Sequence, residues 1–317
     1  MRRMSCVYEF HEQAGLLIDT ITDEEAGLRI RVNRHGAELI SLARRGADGK
    51  WTGFLHRDGD TGAPAQGWKN HATVMGYYIH RLKGERSVYR GHEVRGGTHS
   101  FLRIKDFAAP SVDAAGGSLT YSIGPADIAP TEYPFKVQMN LTYALAVTAG
   151  RPELIVTFEF ENLEPEVSTH VSFGLHPGFA VKSLAEARIL LPPGEYVRHM
   201  APGNFLSGET VRIEHPGGPM PFEKSELPGS FLLELAAVPD PLFAVEDPGG
   251  GRRTELDYRE APYVTLWSDG QDFICVEPCW GLPDHHEQRP FEQKEGIQEI
   301  PVGGKLKRSF SIRPEVI

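Results

Sequence analysis

A chain of 317 residues with 40% hydrophobic and 24% charged residues has the composition of a globular protein large enough to bury a sizeable core. Its net charge of -10 argues against nucleic acid as a partner, because nucleic-acid-binding proteins present a basic surface. No stretch has the length of a membrane span, and no apolar segment follows the first arginines, so we expect neither a membrane partner nor a secretory signal. Three cysteines make no disulfide framework, which favours a reduced, cytoplasmic location.

The predicted elements are mostly short strands. The chain contains 34 Gly and 24 Pro, which separate short apolar stretches, a spacing typical of strands joined by turns. In chain order, the sequence predicts strands over residues 28–32, 119–123, 135–147, 154–160, 264–267, 273–276 and 310–312. Polar, glycine-rich loops are predicted over residues 58–69 and 247–253, and a short helix over residues 182–190.

A hairpin is the best-defined of these elements. Alternate residues from Phe135 to Val147 are apolar, and this period of two predicts a strand with one buried face. A turn at residues 149–152 leads into the return strand. Alternating strand and helix patterns are missing, which disfavours a parallel sheet. The sequence therefore predicts an all-β fold, a large antiparallel β-sandwich forming one domain over residues 1–317, with residues 1–25 as an N-terminal extension.

Glu277 is the first candidate for chemistry, because it follows the apolar run 273–276 and immediately precedes Pro278. A buried carboxylate without a partner is costly, so Glu277 either reaches solvent at a strand end or is held for proton transfer. Two histidines lie in glycine-rich segments, His176 in FGLHPGF and His99 in GGTHSFLR. Each is equally compatible with a structural histidine in a turn, and the nearby Arg81 and Arg103 are equally compatible with surface charges.

Metal binding is not predicted. His285, His286 and Glu287 are consecutive, and neighbouring side chains of an extended chain point in opposite directions. No HExxH or similar ligand spacing accompanies them, so a solvated turn is the better interpretation. Nucleotide-binding and nucleophile motifs are also missing from the sequence, so we expect no cofactor and no metal, and proton transfer as the chemistry.

Four blocks of sequence carry a family resemblance. They are HGAELISL from His35, IHRL from Ile79 with HSFLR after it, FGLHPGF from Phe173, and EPCWGLPD from Glu277 with KEGI after it. Together they resemble the aldose 1-epimerase (galactose mutarotase-like) family, particularly its divergent bacterial branch. The blocks follow the family's order and cover nearly the whole chain. The resemblance implies a galactose mutarotase-like supersandwich, which agrees with the strand pattern.

The resemblance also implies roles for individual residues. Glu277 falls on the family's catalytic base and His176 on its catalytic acid. The residues expected to contact the sugar are His99, Arg81, Arg103, Trp280 and Asp284. The chain departs from the family pattern at four positions that we expect on the pocket wall, namely His80, Ser100, Leu102 and Cys279. The identity of the sugar therefore stays open.

The implied activity is interconversion of the α and β anomers of an aldose. The Glu277 carboxylate would remove the proton of the anomeric hydroxyl while the His176 imidazolium protonates the ring oxygen. Two alternatives stay open. One is a non-catalytic carbohydrate-binding or regulatory protein, and the other is a hexose-phosphate epimerase with Arg81, Arg103 and Lys83 around the phosphate. The expected partner is a small sugar, phosphorylated or not, and the chain is expected to be a monomer or a homodimer.

Overall fold

The computed structural model describes residues 6–317, and most of them lie in antiparallel strands. The strands, numbered β1 to β24 in chain order, are Cys6–Gln13, Leu16–Asp23, Leu28–Asn33, Glu38–Arg45, Trp51–Gly53, Ala72–Tyr77, Arg86–Tyr89, His92–Arg95, Ser111–Asp113, Ser118–Ile123, Val137–Thr148, Arg151–Asn162, Thr169–Ala180, Arg188–Leu191, Gly194–His199, Thr210–His215, Gly218–Pro219, Phe231–Ala237, Leu242–Asp247, Arg252–Asp257, Tyr263–Trp267, Phe273–Trp280, Gln298–Ile300 and Lys305–Val316. Short 3-10 helices occupy Lys83–Glu85, Leu102–Ile104, Pro125–Asp127, Pro202–Asn204, Lys224–Gly229, Pro248–Gly250 and Phe291–Gln293.

Three large sheets build the molecule. A five-stranded sheet has the order β1-β2-β3-β4-β5, and a nine-stranded sheet has the order β17-β14-β19-β20-β24-β12-β11-β10-β9. The third sheet has the order β16-β15-β18-β21-β22-β13-β23, with β6 also paired to β13. A single large core cluster draws residues from all three sheets. The predicted all-β class and antiparallel β-sandwich are confirmed. Within the described residues, no helix is long and apolar enough to cross a membrane.

The predicted hairpin is β11 and β12. Val137, Met139 and Leu141 are fully buried while the residues between them are partly exposed, as the period of two requires. The turn is tighter than predicted: Thr148 pairs directly with Arg151, so Ala149 and Gly150 alone make the connection. Both have positive φ, the geometry of a type I′ hairpin turn.

Two predicted segments differ from the structure. Residues 182–190 do not form a helix: residues 184–186 form a turn, and Arg188 begins β14, where Ile189 and Leu191 are buried on one face and the strand pairs with β19. The helix prediction was wrong, since a short apolar run also fits a strand. The loop predicted over residues 247–253 is shorter than expected, because β19 continues to Asp247 and β20 begins at Arg252.

Part of the predicted N-terminal extension is paired with the rest of the chain; residues 1–5 lie outside the described part of the chain. Strands β1 and β2 form a hairpin that pairs with β3, and Ile18 and Ile21 are fully buried. Residues 6–23 are therefore an integral part of the five-stranded sheet. Burial of β2 against the core explains why this segment is ordered as a strand pair.

Strand β22, which carries Glu277, runs further than predicted. The strand was expected to end at residue 276, but it continues through Pro278 to Trp280, and Pro278 pairs with Val264 of β21. On its other edge β22 pairs with β13 at residues 273–275 and 279–280, and the intervening stretch contains Pro177 of β13 and Pro278. Because proline has no N–H donor, these two residues interrupt the ladder around its centre.

Candidate active site

The register of the third sheet places His176 and Glu277 opposite each other. Gly174 of β13 pairs with Cys279 of β22, and Gly178 pairs with Cys275, so the residues midway between these pairs are His176 and Glu277. The neighbouring strands extend the same row, since β6 places Thr73 beside His176 and β21 places Thr265 beside Glu277. Opposite residues of an antiparallel pair share one face of the sheet. These four side chains therefore project together, and all four line one cavity.

The cavity has a volume of about 460 Å³, the size of a small-molecule site. At its floor, Nε2 of His176 lies 3.4 Å from Oε1 of Glu277. Glu277 is 1% exposed and His176 is 7% exposed. Within the described residues, the two carboxylate oxygens of Glu277 and the Nδ1 atom of His176 have no hydrogen-bond partner. Buried polar groups are nearly always paired, so unpaired ones mark a place where a ligand completes the site.

Burial displaces the protonation equilibria of this pair. Loss of solvation raises the pKa of Glu277 well above its usual value and lowers the pKa of His176 to about 3. The ligand-free pair therefore favours its uncharged form, with the carboxyl group protonated and the imidazole neutral. The sequence had suggested a carboxylate beside an imidazolium, an expectation based on the pKa values of the exposed groups. The nearly complete burial of both side chains is the physical reason for the difference.

His99 and His80 form a second layer beside His176. The ring centroids of His99 and His176 are 5.3 Å apart, and those of His80 and His99 are 5.6 Å apart. The backbone N–H of His80 donates to Nδ1 of His99, so the ring proton of neutral His99 lies on Nε2. Burial lowers the pKa of His99 well below its usual value and that of His80 to about 3. Both therefore offer neutral, directional hydrogen-bonding groups to the cavity they line.

Three cationic side chains line the same cavity. Lys69 and Arg81 are exposed, and Arg103 is partly buried and donates from Nη1 to the carbonyl oxygen of Thr98. They come from three different connections between strands. Glu277 is the one carboxylate among the described residues that line the cavity. A protein with a net charge of -10 thus has a locally cationic pocket.

Two tryptophans enclose the His176 imidazole. Trp68 stacks on it with ring centroids 4.8 Å apart, and Trp267 meets it edge-on at 5.4 Å. Gly178 makes room for this arrangement, because a Cβ atom at this position would lie 2.6 Å from the Trp68 ring. The aromatic rings exclude water from the imidazole and so account for much of its desolvation.

The structure brings together five of the seven residues chosen from the sequence: Glu277, His176, His99, Arg81 and Arg103 all line the cavity. Trp280 does not. It is fully buried, stacks on Phe173 with centroids 4.9 Å apart, and donates from Nε1 to the carbonyl oxygen of Glu260. Its position is corrected to the core, because strand alternation continues past Pro278 and turns this side chain away from Glu277.

Asp284 is corrected as well. It is 2% exposed, forms a buried ion pair with Lys294, and accepts hydrogen bonds from the backbone N–H of Lys83 and the side chain of Gln288. Its own N–H donates to the carbonyl oxygen of Arg81. Asp284 therefore holds in place the segment that carries Arg81, rather than lining the cavity itself.

The sequence alone did not single out several cavity residues, namely Trp68, Lys69, Asn70, Thr73, Asn204, Thr265 and Trp267. A signal existed for Thr265 and Trp267, since both lie on one face of a predicted strand. Trp68 and Lys69 lie in a loop that was correctly predicted but looked merely polar. Of the four departures expected on the pocket wall, His80 lines the cavity, whereas Ser100, Leu102 and Cys279 do not.

An all-β sandwich with a buried histidine–carboxyl pair on the floor of a cavity of about 460 Å³ has the features of a protein with a small-molecule site. The comparison with protein-family models identifies the family: residues 19–289 match the model described as aldose 1-epimerase. The chain belongs to this family. The comparison with curated proteins gave no match.

Solved structures share the fold. A galactose mutarotase related enzyme from Lactobacillus acidophilus is 20% identical with a TM-score of 0.80, over 98% of this chain and 97% of that one. A galactose mutarotase-like protein from Lactobacillus casei is 21% identical with a TM-score of 0.76, over 98% of this chain and 100% of that one. An aldose epimerase homologue from C. elegans is 12% identical with a TM-score of 0.70, over 98% and 100% of the two chains. At these identities the likeness establishes the fold.

Proposed function

We propose that this protein is a cofactor-independent aldose 1-epimerase that interconverts the α and β anomers of a sugar. One observation carries the proposal: His176 and Glu277 project side by side from neighbouring strands onto the floor of a sugar-sized cavity, 3.4 Å apart and almost fully buried. Anomer exchange needs one group that takes a proton and one that gives a proton within reach of the same ring. The family of the chain supports the same reaction.

In the proposed reaction Glu277 removes the proton from the anomeric hydroxyl, and His176 donates a proton to the ring oxygen. The bond between the anomeric carbon and the ring oxygen breaks, and the anomeric carbon becomes an aldehyde. Rotation about the adjacent carbon–carbon bond turns the other face of the aldehyde to the hydroxyl. The ring then closes with the two proton transfers reversed, so that the enzyme returns to its starting state.

The resting proton must move before this cycle begins. The pair carries one proton, which burial places on Glu277 in the ligand-free site. A sugar hydroxyl that donates to the unpartnered Glu277 oxygens favours the carboxylate, because hydrogen bonds to the charged form lower a carboxyl pKa. The proton then passes over the 3.4 Å contact to Nε2 of His176. His99, with its proton on Nε2, and Arg81 orient the ring.

Within the aldoses, we propose sugars that carry an anionic group as the preferred substrates. Lys69, Arg81 and Arg103 lie around the cavity, and guanidinium groups bind phosphate or carboxylate strongly. The Lys83 side chain, which the sequence suggested for this role, donates instead to the carbonyl oxygen of His286 and does not line the cavity. Lys69 replaces it in the proposal. Arg81→Gln should reduce kcat/KM for an aldose phosphate by roughly 10- to 100-fold, with Lys83→Gln as the unaffected control.

Saturation-transfer NMR of anomeric exchange, with a panel of aldoses and their phosphates, tests the function. Glu277→Gln should slow exchange by about 10²- to 10⁴-fold for the sugar that the wild type accelerates. Glu299→Gln is the matched control, because Glu299 is exposed on β23, which pairs with the strand that carries His176. Full activity in Glu277→Gln, or no acceleration of any sugar by the wild type, contradicts the proposal.

A sugar-binding protein without activity remains the competing proposal. It predicts saturable binding by calorimetry that is unchanged in Glu277→Gln, with no enhanced exchange. The unpartnered oxygens of Glu277 favour the enzyme, because a protein that only binds gains nothing from keeping a bare carboxyl group beside a buried imidazole. Cytoplasmic location, and a monomeric or homodimeric state, stay predictions from the sequence.

A further inference from the structure

A third side chain with a metal-binding atom lies beside the acid–base pair. Cys275 precedes Glu277 by two residues on β22, so both side chains leave the same face of the strand. One ligand atom each from His176, Cys275 and Glu277 lies within 4.8 Å of the other two. All three side chains are buried, and Cys275 is fully so. The cluster joins a nitrogen, an oxygen and a sulfur donor.

The distances suit a small tetrahedral cation. Nε2 of His176 and Oε1 of Glu277 are 3.4 Å apart, the separation of nitrogen and oxygen ligands on a tetrahedral zinc ion with bonds of about 2.1 Å. The Cys275 sulfur lies within 4.8 Å of both atoms, and the longer zinc–sulfur bond, about 2.3 Å, reduces the movement that it needs to bind the same ion. His176 and Glu277 line the cavity, so the fourth coordination position is open to it.

Unsatisfied atoms provide an independent reason for a cation here. Both Glu277 oxygens are buried and have no hydrogen-bond partner among the described residues. A divalent cation bound by one carboxylate and one thiolate adds no net charge to the interior, and therefore avoids most repulsion from Arg103. Binding forms the metal–oxygen and metal–sulfur bonds as the carboxyl proton of Glu277 and the thiol proton of Cys275 leave to the solvent, so two protons are released for each ion bound. Mixed nitrogen, oxygen and sulfur ligands favour zinc and disfavour magnesium and calcium.

We propose that His176, Glu277 and Cys275 bind a thiophilic divalent cation, with Zn²⁺ as the matching ion, and that the bound ion stops proton transfer by the same pair. The sequence predicted no metal site, because His176 lies far along the chain from Cys275 and Glu277 and meets them only in the folded sheet. The second half of the proposal, inhibition, rests on the proposed epimerase activity. A metal-bound nitrogen or oxygen lone pair accepts no proton, so the bound ion blocks proton transfer. The first half concerns binding alone.

The binding half is tested with Co²⁺ as a spectroscopic substitute for Zn²⁺. The chelator-treated full chain should take up one equivalent of Co²⁺ and show the intense visible bands of a tetrahedral ion and a near-ultraviolet thiolate charge-transfer band. Zn²⁺ should displace it. Cys275→Ser should lose the charge-transfer band and weaken Co²⁺ binding at least tenfold, whereas Cys279→Ser should retain both. Cys279 is the matched control, because its buried sulfur contacts Thr265 at 3.6 Å, outside the cluster.

The outcomes separate the two halves. The cation site is overturned if the wild type shows no charge-transfer band, or if the band survives in Cys275→Ser. The wild-type measurement decides this even if the variant does not fold. For the second half, Zn²⁺ should reduce anomeric exchange at least tenfold, and a chelator should restore it. Zn²⁺ that binds without slowing exchange overturns the inhibition and leaves the site. If no sugar is turned over, the epimerase proposal fails while the spectroscopic result still decides the cation site.

Discussion

The neutral state of His176 has a measurable effect on stability. Burial lowers its pKa from 6.5 to about 3, so the unfolded chain binds this proton at a higher pH than the folded chain. The contribution of neutral His176 to the free energy of unfolding is therefore fully present above about pH 6.5 and is lost as the pH falls toward 3. With these two values the loss between pH 7 and pH 5 amounts to about 2 kcal/mol, rising to about 5 kcal/mol when both states are protonated.

The experiment compares the free energy of unfolding in urea at pH 7 and pH 5 for the wild type and His176→Asn. The wild type should lose about 2 kcal/mol more than the variant, and this difference cancels the acid effects that the two chains share. His92→Asn, which replaces an exposed histidine, should behave as the wild type does. If Glu277 instead held His176 as an imidazolium, acid would stabilise the wild type relative to His176→Asn. That result would refute the burial argument.

Three further predictions concern the surroundings of the pair. Burial raises the pKa of Glu277, so the wild type loses stability as the pH rises from the pKa of the unfolded state, near 4.5, through the pKa of the folded state. In urea titrations, the stability of Glu277→Gln relative to the wild type should therefore increase between pH 5 and pH 8. Asp284→Asn should lower the free energy of unfolding by roughly 3–5 kcal/mol, because it leaves Lys294 buried and unpaired; a loss below about 1 kcal/mol contradicts the ion pair. Gly178→Ala should displace Trp68 from His176, changing tryptophan fluorescence and costing roughly 1–3 kcal/mol, whereas Gly229→Ala, whose added methyl meets no atom within 4 Å, should not.

Strand periodicity predicted the fold well because it depends on local alternation. The hairpin of β11 and β12 could be predicted directly from alternate apolar residues. It failed over residues 182–190, where the run was too short to separate a helix from a strand. The N-terminal strands were missed because their pairing to β3 depends on distant parts of the chain.

Predictions for the site depended on a different kind of information. Family resemblance found Glu277 and His176, but their 3.4 Å contact follows from the register of β13 and β22, which no local pattern encodes. Trp280 was misplaced because the strand was expected to end before it. The shifted pKa values were inaccessible from the sequence, since they depend on how much solvent each group loses on folding.

The cationic residues of the cavity and its acid–base pair belong to different parts of the architecture. Lys69, Arg81 and Arg103 lie in connections at the cavity, whereas His176 and Glu277 lie in the middle of long, paired strands. Connections tolerate substitution and insertion far better than the strands they join. The cationic residues can therefore change with three loops while the sheet preserves the 3.4 Å contact between His176 and Glu277. Grafting these connections between relatives would change the charge around the cavity and leave the histidine–carboxyl pair on its floor in place.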